Sequence, residues 1–258
     1  MNKEKYTLIT GATKGIGFEL AKLFSKDKNN LLLVARNEEK LLKLKDILEK
    51  ENDIKVMTLS IDLTKENEID VLINKINSEE IIIENLVNNA GIGSFGYFDE
   101  IDEERDFDLI NINIFAITKL IKALLPKMKD RKSGGILNVA STAAFVGGPK
   151  MSTYYSSKAY VLTLSEALYE ECKEHNVKVC CLCPGPVKTS FQSDAGIVKS
   201  EKAKKYLMDA DIVAKIGYNG FKKGKPIIIP GFKNRIMVNS TKILPRGLIR
   251  KIIFNTNK

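Results

Sequence analysis

Short apolar runs rich in branched residues recur along the chain at residues 6–10, 31–35, 54–60, 86–89, 135–141, 177–183 and 226–229. Runs of this length fit strands buried on both faces, as in a parallel sheet. Longer stretches with helical periodicity separate most of them. Residues 38–51, 103–129 and 156–175 are amphipathic, and Leu20, Leu23 and Phe24 mark one face of a helix that follows the first run. Strands alternating with crossover helices predict an α/β fold: a Rossmann-type, doubly wound, mainly parallel seven-stranded sheet with helices on both faces. No repeat or low-complexity linker interrupts the pattern. Residues 1–258 therefore read as one domain, with a core over 5–230 and an extension over 231–258.

Composition narrows the class. With 258 residues, 44% hydrophobic and 28% charged, the chain has the makeup of a globular protein near the upper size for a single core. No apolar run reaches the ~18 residues of a membrane span, and the start Asn2-Lys3-Glu4-Lys5 does not resemble a signal peptide. Cys172, Cys180, Cys181 and Cys183 cluster, three of them inside the run 177–183. They read as buried free thiols in a reducing, cytoplasmic setting. A metal site is not expected, because His175 is the single histidine and neighbouring strand residues point to opposite faces.

The candidate chemistry begins at the first strand, which runs into Gly11, Thr13, Lys14, Gly15, Ile16 and Gly17 and then into a helix. A strand, a glycine-rich turn and a helix N-terminus make an anion site, since backbone N–H groups and the helix dipole face a pyrophosphate. The glycines allow close approach of backbone to ligand and of helix to strand. Their spacing, GxxxGxG, differs from the GxGxxG fingerprint. A second constellation lies at Ser141, Tyr154 and Lys158. Tyr154 and Lys158 are four residues apart and share a helix face. A cation beside a phenol favours the phenolate, drawing the pKa from about 10 toward neutrality, where proton exchange is efficient. A YxxxK pair alone is common on solvated helices; Ser141, thirteen residues upstream, adds a hydroxyl at the end of a strand.

Taken in order, these motifs resemble those of the short-chain dehydrogenase/reductase family over about residues 5–230. They are TGxxxGIG from Thr10, NNAG at Asn88, Asn89, Ala90 and Gly91, then Asn113, Ser141, Tyr154 and Lys158, and last a PGxVxT run from Pro184. The resemblance implies a nicotinamide-dependent enzyme acting on a CH–OH group. Ser141 then holds the carbonyl oxygen, Tyr154 exchanges its proton, and Lys158 lowers the tyrosine pKa and binds the nicotinamide ribose. Asn113 holds a water in the relay. Asp62 and Leu63 fall beside the adenine, Asn89, Ala90 and Gly91 along the ribose, and Pro184, Gly185, Val187 and Thr189 near the carboxamide. Tyr155 rivals Tyr154, Asn111 rivals Asn113 and Thr142 rivals Ser141; the family spacing selects the second of each pair. Ala116 departs from the family's Asn-x-x-Gly by one methyl.

Arg36 follows the second strand, where dinucleotide folds place either an acid for the ribose hydroxyls or an arginine for a 2′-phosphate. With Lys14 it favours NADP(H) over NAD(H). The expected reaction is reversible reduction of a medium-to-large apolar ketone or aldehyde. Reduction of a 3-oxoacyl thioester is the alternative enzyme, and a non-catalytic nucleotide-binding or membrane-peripheral protein the alternative class. The family implies a homo-oligomer, dimer or tetramer, through residues 103–129 and 156–175. Residues 191–207 and the extension are expected to carry substrate choice.

Charge is uneven. Between Ile212 and Lys258 there are eleven Lys and Arg and no acid, so the rest of the chain, 30 basic against 32 acidic residues, is nearly neutral and the net +9 resides here. Nucleic acid is not expected, because no recognised module accompanies the charge. A solvated basic face, or weak contact with anionic lipid or an acidic carrier, remain open.

Overall fold

The computed structural model describes residues 4–197 and 207–256. Seven strands form one sheet: β1 (Lys5–Thr10), β2 (Asn30–Ala35), β3 (Val56–Ser60), β4 (Ile82–Asn88), β5 (Gly134–Val139), β6 (Val177–Leu182) and β7 (Ile227–Ile228). Their order is β3-β2-β1-β4-β5-β6-β7 and every neighbouring pair is parallel. The chain winds outward from β1 and then returns to β4 on its other side. Ligands bind beyond the carboxyl ends of strands at such a switch point, and the glycine turn leaves β1 there.

Strand residues alternate between two cores, as a pleated sheet requires. Leu8, Leu32, Leu86 and Ile136 pack with Leu72, Ile117, Leu120 and Val161 of helices α3 (Glu66–Ser78), α5 (Ala116–Asp130) and α6 (Ser152–Cys172). Ile9, Leu31, Leu33 and Val87 pack with Leu20, Leu41 and Val213 of α1 (Gly15–Lys26), α2 (Glu38–Asn52) and α8 (Ala210–Lys222). The cysteines follow the same alternation: Cys180 lies in one core and Cys181 and Cys183 in the other, all free and buried.

The expected elements form, with revised ends. Residues 103–129 make α4 (Glu103–Ile110), a π-helical turn (Asn111–Phe115) and α5, a continuous helix over Glu103–Asp130. No apolar run within it reaches ~18 residues, yet by length and mean hydropathy this helix could cross a membrane. One stripe of it packs within the protein, since Leu109, Ile117, Leu120, Leu124 and Met128 are buried, while Phe107, Ile110 and Phe115 are exposed. β5 ends at Val139 rather than residue 141, because the chain turns at Ser141 into a 3₁₀ turn, Thr142–Phe145. The next helix starts at Ser152, earlier than its apolar periodicity shows. A short parallel ladder pairs Val187–Lys188 with Met208–Asp209, which the sequence did not signal. Two helices close the chain, α9 (Phe232–Ser240) and α10 (Arg246–Thr256). Of residues 191–207, α7 (Phe191–Asp194) is described and 198–206 lie outside the described residues.

Candidate active site

The glycine turn is assembled by hydrogen bonds from elements far apart in sequence. Gly11 donates its N–H to Val34 O at 2.8 Å, fixing the turn to β2. Thr10 Oγ1 accepts from the N–H groups of Asn89 and Ala90, both at 3.0 Å, and donates to Val87 O at 3.3 Å. The Asn89 amide donates to Thr10 O (3.0 Å) and Gly11 O (3.2 Å). The Asn89 side chain thus braces the turn. Gly17 is required by space: a Cβ there would lie 2.3 Å from Asn89 Nδ2 and 2.4 Å from Gly11 O. No side chain caps the first turn of α1, so the N–H groups there are suited to a phosphate. Thr13, Gly15 and Ile16 are partly exposed at this end. This bare, closely approached cradle fits a dinucleotide pyrophosphate.

Around the cradle, Arg36 is exposed just past β2, and its carbonyl accepts from Ser60 Oγ at 3.0 Å. Lys14 is ion-paired with Asp194 of α7. Asp62 accepts from Thr64 N–H (3.0 Å) and Oγ1 (2.9 Å), while the Leu63 and Val187 side chains belong to the buried cores. Residues 184–189 close the other flank. Pro184 O accepts from Thr142 N–H at 2.8 Å, Gly185 lies against Asn234, and Thr189 lies against Gly15.

The second constellation meets at the ends of β4 and β5. Ser141 caps the 3₁₀ turn by accepting from Ala143 N–H at 3.1 Å and donates to Pro184 O at 3.4 Å. Its hydroxyl also faces the Tyr154 phenol and favours its ionised form. Lys158 Nζ donates to Val139 O at 3.0 Å and stands 5.8 Å from the Tyr154 ring centre. Asn113 is fully buried in the π-helical turn, a local widening often found at functional sites. It donates to Ile92 O and Ser157 Oγ, both at 3.0 Å, and accepts from Ile92 N–H at 3.1 Å. Gly91 is needed between these groups, because a Cβ would stand 2.8 Å from Asn113 Oδ1 and 3.3 Å from Lys158 Nζ. Of the rivals, Asn111 donates to Thr64 O and Tyr155 packs on Gly148.

Electrostatics correct one expectation. Burial pushes the Tyr154 phenol up to about 12, with the Ser141 hydroxyl opposing it. Burial also pushes the Lys158 amine down to about 8. Loss of water disfavours the charged form of each, so the phenol is raised, not lowered as placing a lysine beside a tyrosine predicts. The phenol therefore keeps its proton at neutral pH and is a donor. An amine that binds its proton less tightly in the fold than in the unfolded chain makes stability rise with pH between about 8 and 10.5, because there the unfolded chain carries more protons. The Tyr154 phenol acts oppositely above 10. Denaturant unfolding of the ligand-free protein between pH ~7 and ~9.5 is expected to show a gain on the order of 1–2 kcal/mol that Lys158→Met lacks. Parallel profiles for the two proteins would refute a buried, destabilised ammonium.

Several residues at the site carried no sequence signal of their own. Asp106 accepts from Ser94 Oγ (2.8 Å) and Thr153 Oγ1 (2.7 Å), tying the loop after β4 to the turn before Tyr154. Phe191 lies 5.4 Å from the Tyr154 ring, and Arg105 donates to Gly93 O (2.6 Å) and Asp194 O (3.0 Å). Leu109, Ala143, Met151 and Tyr154, flanked by Ile92, Phe95 and Phe191, make an apolar enclosure around the phenol.

Comparison with known proteins agrees with this geometry. A model of the short chain dehydrogenase family matches residues 5–197. The chain is a short-chain dehydrogenase/reductase. As such it is an NAD(P)-dependent oxidoreductase acting on a CH–OH group. This short-chain dehydrogenase/reductase is 31% identical over 258 residues to a very-long-chain 3-oxoacyl-CoA reductase of Mycosarcoma maydis, covering 96% of the chain and 72% of the relative. Among solved structures it is similar to a short-chain dehydrogenase from Sphingobium yanoikuyae in complex with NADPH (TM-score 0.84, 29% identity, 95% of each chain). It is also similar to a bulky-bulky ketone specific alcohol dehydrogenase from Comamonas testosteroni (TM-score 0.79, 25% identity, 96% of this chain and 94% of that one).

Proposed function

We propose that this protein is an NADPH-dependent carbonyl reductase acting reversibly on a medium-to-large apolar ketone or aldehyde. The observation that carries the reading is the meeting of Ser141, Tyr154, Lys158 and Asn113 at the sheet's switch point, with an apolar enclosure around the phenol. The cradle from Gly11 to Gly17 holds the pyrophosphate, with Asp62 toward the adenine, Ala90 and Gly91 along the ribose, and Thr189 at the carboxamide. A bound nicotinamide supplies the hydride. Ser141 donates to the substrate oxygen and orients it. Tyr154, protonated at neutral pH, gives its proton to that oxygen; Lys158 binds the nicotinamide ribose, and Asn113 holds a water in the relay that restores the proton. In the alcohol-oxidising direction Tyr154 must first lose its proton, so that direction is favoured at alkaline pH.

Arg36 and Lys14 support NADPH: both are cations beside the cradle, and guanidinium matches a 2′-phosphate bidentately. Ile92, Phe95, Leu109, Met151 and Phe191 support an apolar substrate. Likeness to a very-long-chain 3-oxoacyl-CoA reductase over 96% of the chain favours a second reading, reduction of a 3-oxoacyl thioester. Exposed Phe107, Phe115 and Tyr160 on α4, the π-helical turn and α6 provide a surface for a homo-oligomer. The four free, buried thiols suit a cytoplasmic setting. The test is a panel of steroid ketones, 3-oxoacyl thioesters and small ketones assayed by NADPH consumption. Turnover of an apolar ketone is expected to exceed that of small polar ones, and consumption of NADPH with none of them would overturn the reading.

A further inference from the structure

The chain's last two helices expose apolar residues in a pattern that the fold does not use. Phe232 and Ile236 are four residues apart on α9 and are 71% and 54% exposed. Leu248 and Ile252, four apart on α10, are 47% and 50% exposed, and Ile243 at the turn between the helices is 85% exposed. Each helix has an inward residue, Val238 and Ile249, so these exposed side chains are the outward faces of anchored helices, not a frayed end. Exposed apolar residues scattered singly need no explanation, but a run of them on adjoining elements does.

The charge around this face identifies what it fits. Residues 231–258 contain seven Lys and Arg, among them Arg235, Lys242, Arg246 and Arg250, and no acid. Apolar side chains flanked by cations alone are the pattern of an amphipathic segment that lies in the headgroup region of an anionic bilayer. A two-fold contact with a second copy would instead set one basic segment against another. The segment also touches the loop before α6, the helix that carries Tyr154. Arg250 lies against Gly147 in the loop before α6, and Lys150 of that loop stands 5.8 Å from the Phe254 ring.

We infer that the segment from Phe232 to Ile252 is a docking face for an anionic lipid surface, with Phe232, Ile236, Ile243 and Leu248 inserted among the headgroups and the flanking arginines and lysines on their phosphates. The inference goes beyond the proposed reaction and does not depend on it, because binding is read without turnover.

The experiment is co-sedimentation of the full chain with vesicles of phosphatidylcholine alone or with about a quarter phosphatidylglycerol, at about 0.05 M and about 0.5 M salt. Binding to the anionic vesicles at low salt, little to neutral ones, and release at high salt are expected. Reversing one cation, Arg246→Glu, is expected to weaken binding about fivefold or more, each cation near the surface being worth about 1 kcal/mol. Ile243→Asp with Leu248→Asp is expected to abolish it. Both changes fall at exposed positions, so an unchanged melting temperature shows that the fold is kept. Equal uptake by neutral and anionic vesicles, or full binding by the Ile243→Asp/Leu248→Asp protein, would overturn the inference. A dimer in light scattering that those substitutions dissociate, without vesicle uptake by the parent, would assign the face to a second copy instead.

Discussion

Tyr154→Phe is expected to reduce turnover by about 10²–10⁴-fold while leaving affinity for NADPH nearly unchanged. The substitution removes one oxygen from a buried ring and keeps the contacts with Phe191 and the apolar enclosure. The hydroxyl partner left behind, Ser141, retains its bonds to Pro184 O and Ala143 N–H, so no buried group is stranded and the fold is preserved. What disappears is the proton that the phenol carries at neutral pH. Steady-state kinetics with an accepted ketone and fluorescence titration of NADPH separate the two effects. Retained turnover would remove Tyr154 from the proton-donor role. Loss of turnover with equal loss of nucleotide affinity would mean the ring is structural.

The second large effect is expected at Arg36. Arg36→Asp replaces an exposed cation beside the cradle with the acid that dinucleotide folds use for ribose hydroxyls. A charge-assisted bond to a phosphate contributes about 1.5–3 kcal/mol, so affinity for NADPH is expected to fall about 10–100-fold while that for NADH rises or holds. Lys14 remains, but it is ion-paired with Asp194 and offers a single point charge. The ratio of kcat/KM for the two cofactors reads the outcome, and an unchanged ratio would contradict the assignment of a 2′-phosphate to this corner.

Much of this arrangement was legible in the chain because it rests on local signals. The apolar run into the glycine turn and helix identifies β1, the turn and α1 within two dozen residues. The alternation of runs and amphipathic stretches anticipates all seven strands of the sheet. The four-residue spacing of Tyr154 and Lys158 correctly makes them neighbours. Their protonation was not legible, because it depends on how completely the fold excludes water, and burial here shifts both groups against the direction their proximity suggests. Ser141 sits beyond its strand, not in it, since the 3₁₀ turn that stops β5 leaves no apolar signature. Asn89 and Thr10 fasten the glycine turn across about eighty residues, and Lys14 meets Asp194 across 180. Such pairings are set by the sheet's winding order, which no single segment encodes.

Deuterium transfer tests the central claim most directly. Enzyme, an apolar ketone and NADPH carrying deuterium at the transferring position of its nicotinamide are incubated, and the alcohol is analysed by mass spectrometry and NMR. The account predicts one deuteron bound to the carbinol carbon of each product molecule, with product formation lost in Tyr154→Phe. Alcohol formed without deuterium at that carbon, or labelled alcohol made equally fast by Tyr154→Phe, would contradict it.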